Sequence, residues 1–370
     1  MFRLSSRSCR VSLSILAAVA ACWALAPISR AASDTLPARF TDQEFWKISD
    51  ECSEPNGYFQ SDNLVGNERG LQYPVPSLKK MKRGGVYLGV APDQNFTYIL
   101  AVDPKMAFIV DIRRGNLHAQ LMYKALFELS ADRAEFLSRL LSKKRPDGLG
   151  PSSTVSQLSN AYWDVPTSDD LYKQNTKDIE DLLTKKHGFP LSADDIKGIE
   201  YVYWNFYWYG PSLTYSSSNS NGRGGGGRGN SMPSYADLIV LTDGAGQPNG
   251  YLASEDSFKA LKAFEEKNLL VPVVGDFAGP RALRAVGKYI ADHGATVTAF
   301  YTSNVEQYLF QNQVWPAFYA NVGTLPLDDA TTFIRSARQT NVLDPIKALL
   351  KDVADGKIRS YNDVTARGSW

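Results

Sequence analysis

Charged side chains stand where one apolar run of this sequence ends. Asp111 closes the run 107–110 and is followed by Arg113 and Arg114. A run without polar alternation is typical of a parallel strand that is covered on both faces. In an open parallel sheet the carboxyl ends of the strands share one edge, and ligands bind in the crevice there. Groups of this kind could bind a small polar or anionic ligand, for which the two guanidinium groups would form a fork.

Polar residues end other apolar runs in the same way. They are Asp243 with Gly244, Asp276 after Gly275, and Ser303 with Asn304. We therefore predict one ligand-binding site at the carboxyl edge of a sheet, built from strand ends and the turns and helices that follow them. Its candidate residues are Gly89, Asp93, Asn95, Asp111, Arg113, Arg114, Asp276, Asn304 and Glu306.

The spacing between Gly89 and Asp111 supports a nucleotide-like ligand. Asp111 lies 22 residues beyond Gly89, and a carboxylate about 20 residues beyond the first glycine binds ribose hydroxyls in nucleotide-binding βαβ units. The glycine pattern itself is poor, because Ala91 and Pro92 stand where a second glycine would let the ligand approach the backbone. Two interpretations stay open: Asp111 contacts a ligand, or it caps the next helix or pairs with a neighbouring arginine.

Other catalytic signatures are missing from the sequence. His118, His187 and His293 are isolated and lack metal-ligand spacing, so we predict no metal site. There is no P-loop and no G-x-S-x-G serine motif. Cys52 has no predictable base nearby and is interpreted as structural. The catalytic residues, if the protein is an enzyme, stay unassigned.

The segment YVYWNFYWY, residues 201–209, holds seven aromatic residues in nine positions. It could form a stacking platform for a sugar or another flat ligand. The alternative is a segment that packs its rings into the core, and we favour it. Because rings on every face cannot all be buried on one side, we expect some of them to border a cleft.

Apolar runs alternate with helical patterns through most of the chain. The predicted strands are 86–90, 107–110, 238–241, 269–274 and 296–301, with an antiparallel pair formed by 318–322 and 332–334. A capping-box pattern, Ser303 to Glu306, is expected to open one of the helices. Strands that alternate with helices predict an α/β fold with a doubly wound, mainly parallel, Rossmann-like sheet.

The predicted domain spans 77–370, after an N-terminal extension 32–76. Its residues 143–235 are interpreted as a helical, aromatic-rich insertion. Within the insertion, 216–231 contains only Ser, Asn, Gly and Arg. Such a segment cannot bury enough apolar surface to offset its ordering entropy, so we predict a flexible surface loop.

The first 31 residues have the features of a secretory signal peptide. Three arginines precede an apolar run, and small residues end at Ala31. Cleavage there predicts a periplasmic or secreted protein without a transmembrane segment. Two alternatives stay open, a lipoprotein acylated at Cys22 and a retained membrane anchor.

Composition narrows the function classes. Hydrophobic residues make up 44% of the chain and charged residues 21%, as in soluble globular proteins. The net charge of +1 gives no support for a nucleic-acid partner. After cleavage at Ala31 only Cys52 is left, so no internal disulfide can form. The oligomeric state is not predicted.

Two long segments carry a family resemblance. AFIVDIRRGNLHAQLMYKALFELSADRAEFLSRL and LLVPVVGDFAGPRALRAVGKYIADHGATVTAFYTSNVEQYL resemble a family of uncharacterised exported bacterial proteins, over roughly 77–142 and 234–336. The family's fold is similar to that of class I S-adenosylmethionine-dependent methyltransferases. The resemblance implies a cofactor turn at 89–93, Asp111 as the ribose-binding acid, and Asp276 in the fourth-strand motif near the substrate. The poor glycine pattern and the predicted export disfavour S-adenosylmethionine itself.

Three functions follow as hypotheses. The first is an exported Rossmann-like protein that binds a small polar or anionic ligand without catalysis. The second is a methyltransferase-like enzyme that uses Asp111 and Asp276. The third is a cell-envelope interaction protein that uses 201–209 and 216–231.

Overall fold

The computed structural model describes residues 34–81, 83–219, 232–337 and 340–368 of the chain. Within these residues, six strands form one sheet. The predicted signal segment and positions 220–231 of the predicted loop lie outside the described residues. The strands are β1 Val86–Gly89, β2 Met106–Asp111, β3 Leu270–Val274, β4 Val297–Ser303, β5 Leu327–Ala337 and β6 Thr340–Pro345.

The strand order is β3-β2-β1-β4-β5-β6, and only the β5–β6 pair is antiparallel. Val86 of β1 lies opposite Met106 of β2 on one side and Val297 of β4 on the other. The chain moves outwards from β1 to β3 and then returns to β4, so the winding reverses between β1 and β4. This order is that of a Rossmann-like fold, and the predicted fold class is confirmed.

Helices flank the sheet. They are α1 Asp42–Cys52, α2 Val75–Leu78, α3 Gln94–Val102, α4 Arg114–Leu129, α5 Arg133–Leu141, α6 Val155–Trp163, α7 Asp169–Asp181, α8 Ala193–Tyr209, α9 Tyr235–Ile239, α10 Glu255–Glu266, α11 Ala282–Asp292, α12 Val305–Gln311, α13 Trp315–Val322, α14 Ile346–Ala354 and α15 Tyr361–Thr365. Within the described part of the chain, none of them is long and apolar enough to cross a membrane.

Every residue of β1, β2 and β3 is buried, as their uninterrupted apolar runs predict. Helix α4 packs on β3 and against α8 and α10, and α1 packs on β3 and against α11. The N-terminal extension is tied to the sheet, because the Ser49 hydroxyl donates to the Pro272 carbonyl and the Glu54 N–H donates to the Val274 carbonyl. The carboxyl edge of the sheet is therefore shaped in part by residues that precede the first strand.

The predicted strand 238–241 is wrong, since this part of the chain contains helix α9. Ser234 and Asp237 form a capping box, in which each side chain accepts a hydrogen bond from the other residue's N–H. This local interaction favours a helix over an extended strand. Asp243 consequently lies in a turn, where its carboxylate accepts the N–H groups of Ala245 and Gln247. Without a strand at 238–241, the strand that precedes Asp276 is β3, the third in chain order, and not a fourth strand.

Two further local predictions are wrong. Residues 318–322 belong to helix α13, whereas 332–334 belong to β5, which pairs with β4 and β6. Pro316 in the first turn of α13 suits a helix start and removes an N–H that a strand would need. The capping box at Ser303 does not form, because Ser303 is the last residue of β4 and Asn304 precedes α12 without a side-chain cap.

Candidate functional site

A cleft of about 140 Å³ lies at the carboxyl edge of the sheet, where the winding reverses. On the order of ten water-sized groups fit in such a volume. The ends of β1, β2, β3 and β4 all contribute to its wall. The residues that line it include Val90, Ala91, Asp111, Arg113, Gly275, Asp276, Ser303 and Asn304 from the strand ends, Tyr58, Phe59 and Asn63 from the N-terminal extension, and Tyr308, Leu309, Asn312 and Val314 from α12 and its C-terminal side. The structure thus brings together four of the nine predicted site residues: Asp111, Arg113, Asp276 and Asn304.

Strained backbone positions cluster around this cleft. The described residues include seven non-glycine positions with positive φ, and three of them line it: Asn63 at 50°, Ala91 at 67° and Ser303 at 51°. A fourth, Gln313 at 59°, lies between two lining residues. Left-handed backbone costs energy for residues other than glycine and clusters at ligand sites. The cleft is therefore the best candidate for a functional site.

Asn95 supports the turn after β1 from behind. Its side-chain N–H groups donate to the carbonyls of Val90 at 2.9 Å, Ala91 at 3.0 Å and Pro92 at 2.7 Å, and its oxygen accepts the Tyr87 hydroxyl at 2.9 Å. These bonds hold Ala91 in its left-handed conformation.

Gly89 has a steric role in the same turn. A Cβ atom at this position would lie 1.9 Å from the Asn95 side-chain oxygen. Glycine is therefore needed here so that the Asn95 side chain can pass. Neither Gly89 nor Asn95 lines the cleft, and the structure places both in the support of the turn.

Asp111 and Arg113 form a buried ion pair in the cleft wall. The Asp111 carboxylate accepts the Arg113 backbone N–H at 2.9 Å, Nε at 3.0 Å and Nη2 at 2.8 Å. The two side chains are only 4% and 10% exposed. Of the two interpretations left open by the sequence, the structure therefore shows the pairing of Asp111 with a neighbouring arginine.

The same guanidinium group anchors the segment 56–63, which we call the strap. Nη1 of Arg113 donates to the carbonyls of Ser61 and Asp62. The Gly57 N–H donates to the Ile112 carbonyl at 2.8 Å. Phe59 of the strap then packs edge-on against Tyr308 across the cleft, with ring centroids 4.9 Å apart. The ion pair thus connects the end of β2 to the aromatic wall of the cleft.

The described residues give the cleft no unpaired positive charge. Among the described residues that line it, Arg113 is the only basic one, and its donors are taken up by Asp111 and the strap. Asp276 is half-buried and leaves the wall with a net negative charge. The predicted fork of two arginines does not form, because Arg114 points to Asp195, which it contacts at 2.5 Å and 3.0 Å.

Helix α11 begins beside the cleft, but its N-terminus is already filled. One carboxylate oxygen of Glu54 accepts the N–H groups of Arg281 at 2.7 Å and Ala282 at 2.8 Å, and the other accepts the N–H of Asp276 at 3.2 Å. A helix N-terminus favours an anion through its unpaired N–H groups and its dipole. Because the chain supplies its own carboxylate, this position is closed to an external anion.

Two further predicted site residues lie elsewhere. Glu306 is 1% exposed and pairs with Arg335, which also binds Asp344. Asp93 lies at the start of α3 on the far side of the β1 turn, where Tyr251 donates to it at 3.3 Å. Its second oxygen has no hydrogen-bond partner within the described part of the protein. Both residues contribute to the interior and not to the cleft.

Asp93 should make stability depend on pH. Burial raises its pKa from 3.8 to about 6. The folded state then holds this proton more tightly than the unfolded chain, so the stabilisation is complete below about pH 4 and is lost as the pH rises through 6. Relative to Asp93→Asn, the wild-type protein should lose roughly 3 kcal/mol of unfolding free energy between pH 4 and pH 8. Urea unfolding of both proteins across this range measures the difference, and parallel pH profiles would contradict it.

Helix α8 presents the aromatic segment on two faces, one packed into the core and one exposed, and none of its residues lines the cleft. Tyr203 and Phe206 are buried, whereas Tyr201, Trp204 and Trp208 are exposed, and the two tryptophan rings stack at 5.4 Å. The Tyr201 hydroxyl donates to Asp62 of the strap at 2.7 Å. The exposed face of α8 is therefore connected to the segment that forms part of the cleft.

Several cleft residues carry no clear signal in the sequence. Phe59, Asn63, Tyr308 and Asn312 come from irregular segments or a short helix, where no periodic pattern marks them. Asn63 had one weak signal, since asparagine is among the residues that tolerate positive φ. Within the described ranges, no group of three or more His, Cys, Asp or Glu residues could hold a metal ion.

Residues 64–149 and 216–358 match the model of a family described as a domain of unknown function, DUF7790. These ranges cover more than half of the chain. The chain belongs to this family. All six strands of the DUF7790 protein fall within the match, whereas the strap and the whole of helix α8 fall outside it. No curated protein matches the chain. The family description assigns no activity, so the methyltransferase resemblance remains a prediction.

Proposed function

We propose that this DUF7790 protein is a small-molecule-binding protein whose ligand lies in the cleft between the ends of β1 and β4. The observation that carries the proposal is the cluster of left-handed non-glycine residues, Asn63, Ala91 and Ser303, around that cleft. Strain of this kind persists only where the surrounding structure holds it in place. The place where the winding reverses is also where Rossmann-like sheets bind ligands.

The wall of the cleft supports a small ligand that is polar and uncharged or positively charged. Asn63, Asn304 and Asn312 offer amide groups, and Asp276 offers a carboxylate. Tyr58, Phe59 and Tyr308 offer ring faces and edges. An anionic ligand, which the sequence also suggested, would meet Asp276 without an unpaired cation. We therefore propose the polar member of the two predicted ligand classes.

The methyltransferase-like alternative is less well supported by these contacts. A ribose would have to compete with Arg113 for Asp111, whose carboxylate already accepts three N–H groups. The turn after β1 also carries the side chain of Ala91 and the ring of Pro92. S-adenosylmethionine is accordingly not the ligand that we propose.

Filling the mouth of the cleft should remove ligand binding. Asn312→Trp places a large ring at an exposed lining position, and Gln311→Trp makes the same change at a neighbouring exposed position that does not line the cleft. Thermal-shift screening with neutral and cationic polar metabolites should find ligands whose affinity falls more than tenfold, or about 1.4 kcal/mol, in Asn312→Trp only. S-adenosylmethionine, included in the same screen, should give no shift.

Two results of that screen would overturn the proposal. If ligands bound equally well to both variants, the binding site would lie outside the cleft. If S-adenosylmethionine bound to the wild-type protein and to Gln311→Trp but not to Asn312→Trp, the methyltransferase-like alternative would replace the proposal.

We also propose that the protein acts outside the cytoplasm, from the signal-peptide features of residues 1–31. The mature chain in its native host should begin at Ala32. N-terminal sequencing of protein purified from that host tests this expectation. A chain that retained Met1 in the cytosolic fraction would contradict export, and a lipid-modified Cys22 would select the lipoprotein alternative.

A further inference from the structure

Ser303 has the backbone geometry of a strained nucleophile. It is the last residue of β4, and α12 begins two residues later at Val305. Its φ of 51° is left-handed, and the residue lines the cleft. A serine on a sharp, strained turn from a strand into a helix is the arrangement that exposes the nucleophile of α/β-hydrolases. Here the arrangement occurs without the glycine residues of the usual motif.

Glu68 supplies a buried carboxylate behind Ser303. The Ser303 hydroxyl donates to one carboxylate oxygen of Glu68 at 2.5 Å. The other oxygen accepts the Tyr301 hydroxyl at 2.8 Å and the Asn341 amide at 2.7 Å. All three of these donors are neutral, so these contacts bring no positive charge to the carboxylate. Burial raises the pKa of Glu68, which makes its carboxylate a stronger base than an exposed one.

We propose that Ser303 is a nucleophile activated by Glu68, and that the cleft hydrolyses small carboxylic esters. The proposal rests on the cleft being the ligand site put forward above. Nucleophile, base and cavity are the three parts that this chemistry requires. The structure brings all three together although the sequence contains no G-x-S-x-G motif.

The reaction needs only the ester and water. The Ser303 oxygen bonds to the ester carbonyl carbon as its proton moves to Glu68. The carbon–oxygen bond to the leaving alcohol then breaks, and the alcohol takes that proton. Water attacks the acyl group in the same way, giving a proton to Glu68. As the bond from the acyl group to Ser303 breaks, the proton returns to Ser303 and the carboxylic acid is released.

The lining of the cleft indicates the size and polarity of the acyl group. Val305, Leu309 and Val314 lie in the same cavity as Ser303, which suits a short apolar chain. The side-chain amides of Asn304 and Asn312 could donate to the oxygen that becomes negative during attack. Because Asp276 disfavours a second negative charge, the substrate class is an uncharged or cationic short-chain ester.

A fluorophosphonate probe tests the nucleophile directly, because it modifies activated serines covalently. The wild-type protein should be labelled at Ser303, as located by peptide mass spectrometry, and Ser303→Gly should lose the label. Glycine suits the left-handed backbone, so this variant should fold. Ser254→Gly, at an exposed helix cap that tolerates glycine well, is the matched control and should be labelled like the wild-type protein.

The role of Glu68 needs a readout that a purely structural residue would not change. Glu68→Gln should lower the labelling rate about a hundredfold. In a Ser303→Cys background the same change should leave alkylation by iodoacetamide at pH 9 nearly unaltered, because a thiol ionises near pH 8.5 without a base. Equal losses in both backgrounds would show that Glu68 only holds the turn, and would overturn its role as a base.

The outcomes separate this proposal from the binding function. If the protein is folded but is not labelled at Ser303, or is labelled only at other serines, the proposal that Ser303 is a nucleophile is overturned. If metabolites still bind in a manner that Asn312→Trp abolishes, the binding function survives that result. If neither labelling nor such binding occurs, both proposals fail.

Discussion

Replacing Asp111 with asparagine should lower the free energy of unfolding by roughly 3–5 kcal/mol. The change leaves the Arg113 guanidinium group buried without its carboxylate partner. It also weakens the hold of Arg113 on the strap carbonyls of Ser61 and Asp62. We therefore expect the aromatic wall of the cleft to loosen together with the loss of stability.

Urea unfolding, followed by circular dichroism, measures this effect. Asp276→Asn is the matched control, because Asp276 also follows a strand and lines the cleft but is half-buried and has no basic partner within the described residues. Asp276→Asn should lower the free energy of unfolding by less than about 1 kcal/mol. If Asp111→Asn were as mild as the control, the ion pair would not hold the strap, and the ligand-contact interpretation of Asp111 would regain support.

Replacing Asn95 with alanine should lower the free energy of unfolding by at least about 3 kcal/mol. The change removes the partner of the buried Tyr87 hydroxyl and of the carbonyls of Val90, Ala91 and Pro92. Each buried polar group without a partner costs about 1–3 kcal/mol. Because these bonds hold Ala91 in its left-handed conformation, the wall of the cleft should change as well.

The buried Asn205 provides the control for this second variant. Among the described residues, its amide group donates one hydrogen bond, to the Tyr201 carbonyl at 2.8 Å. Asn205→Ala should therefore cost about 1–2 kcal/mol, measured in the same urea experiment. A similar cost for the two variants would show that the turn after β1 is held by its own backbone and not by Asn95.

Much of the fold could be predicted because it depends on local patterns. The runs 86–90 and 107–110 lack polar alternation, and each occupies a buried strand of the sheet. The wrong strand predictions concern short apolar runs, which are compatible with either a strand or a helix. The apolar run 238–241 predicts a strand, but a capping box just upstream places a helix there. Apolar runs of this length do not distinguish a buried strand from a helix.

The candidate site could be predicted only in part. Asp111, Arg113, Asp276 and Asn304 lie together because parallel strands end at one edge. Asp93 and Glu306 are close to that edge in sequence, but their side chains point into the interior. The direction of a side chain after a turn depends on the turn's backbone angles, which sequence spacing does not specify.

The α/β class, the parallel strands and the sheet edge at which polar residues collect can all be inferred from the amino-acid sequence. These features follow from hydrophobic periodicity, which is a property of neighbouring residues. Three other features depend on tertiary contacts: Asp111 pairs with Arg113, the strap closes one side of the cleft, and Glu68 lies behind Ser303. Glu68 and Ser303 are 235 residues apart in the chain, and nothing local relates them. Such contacts exist only because burial of the whole sheet brings distant segments together.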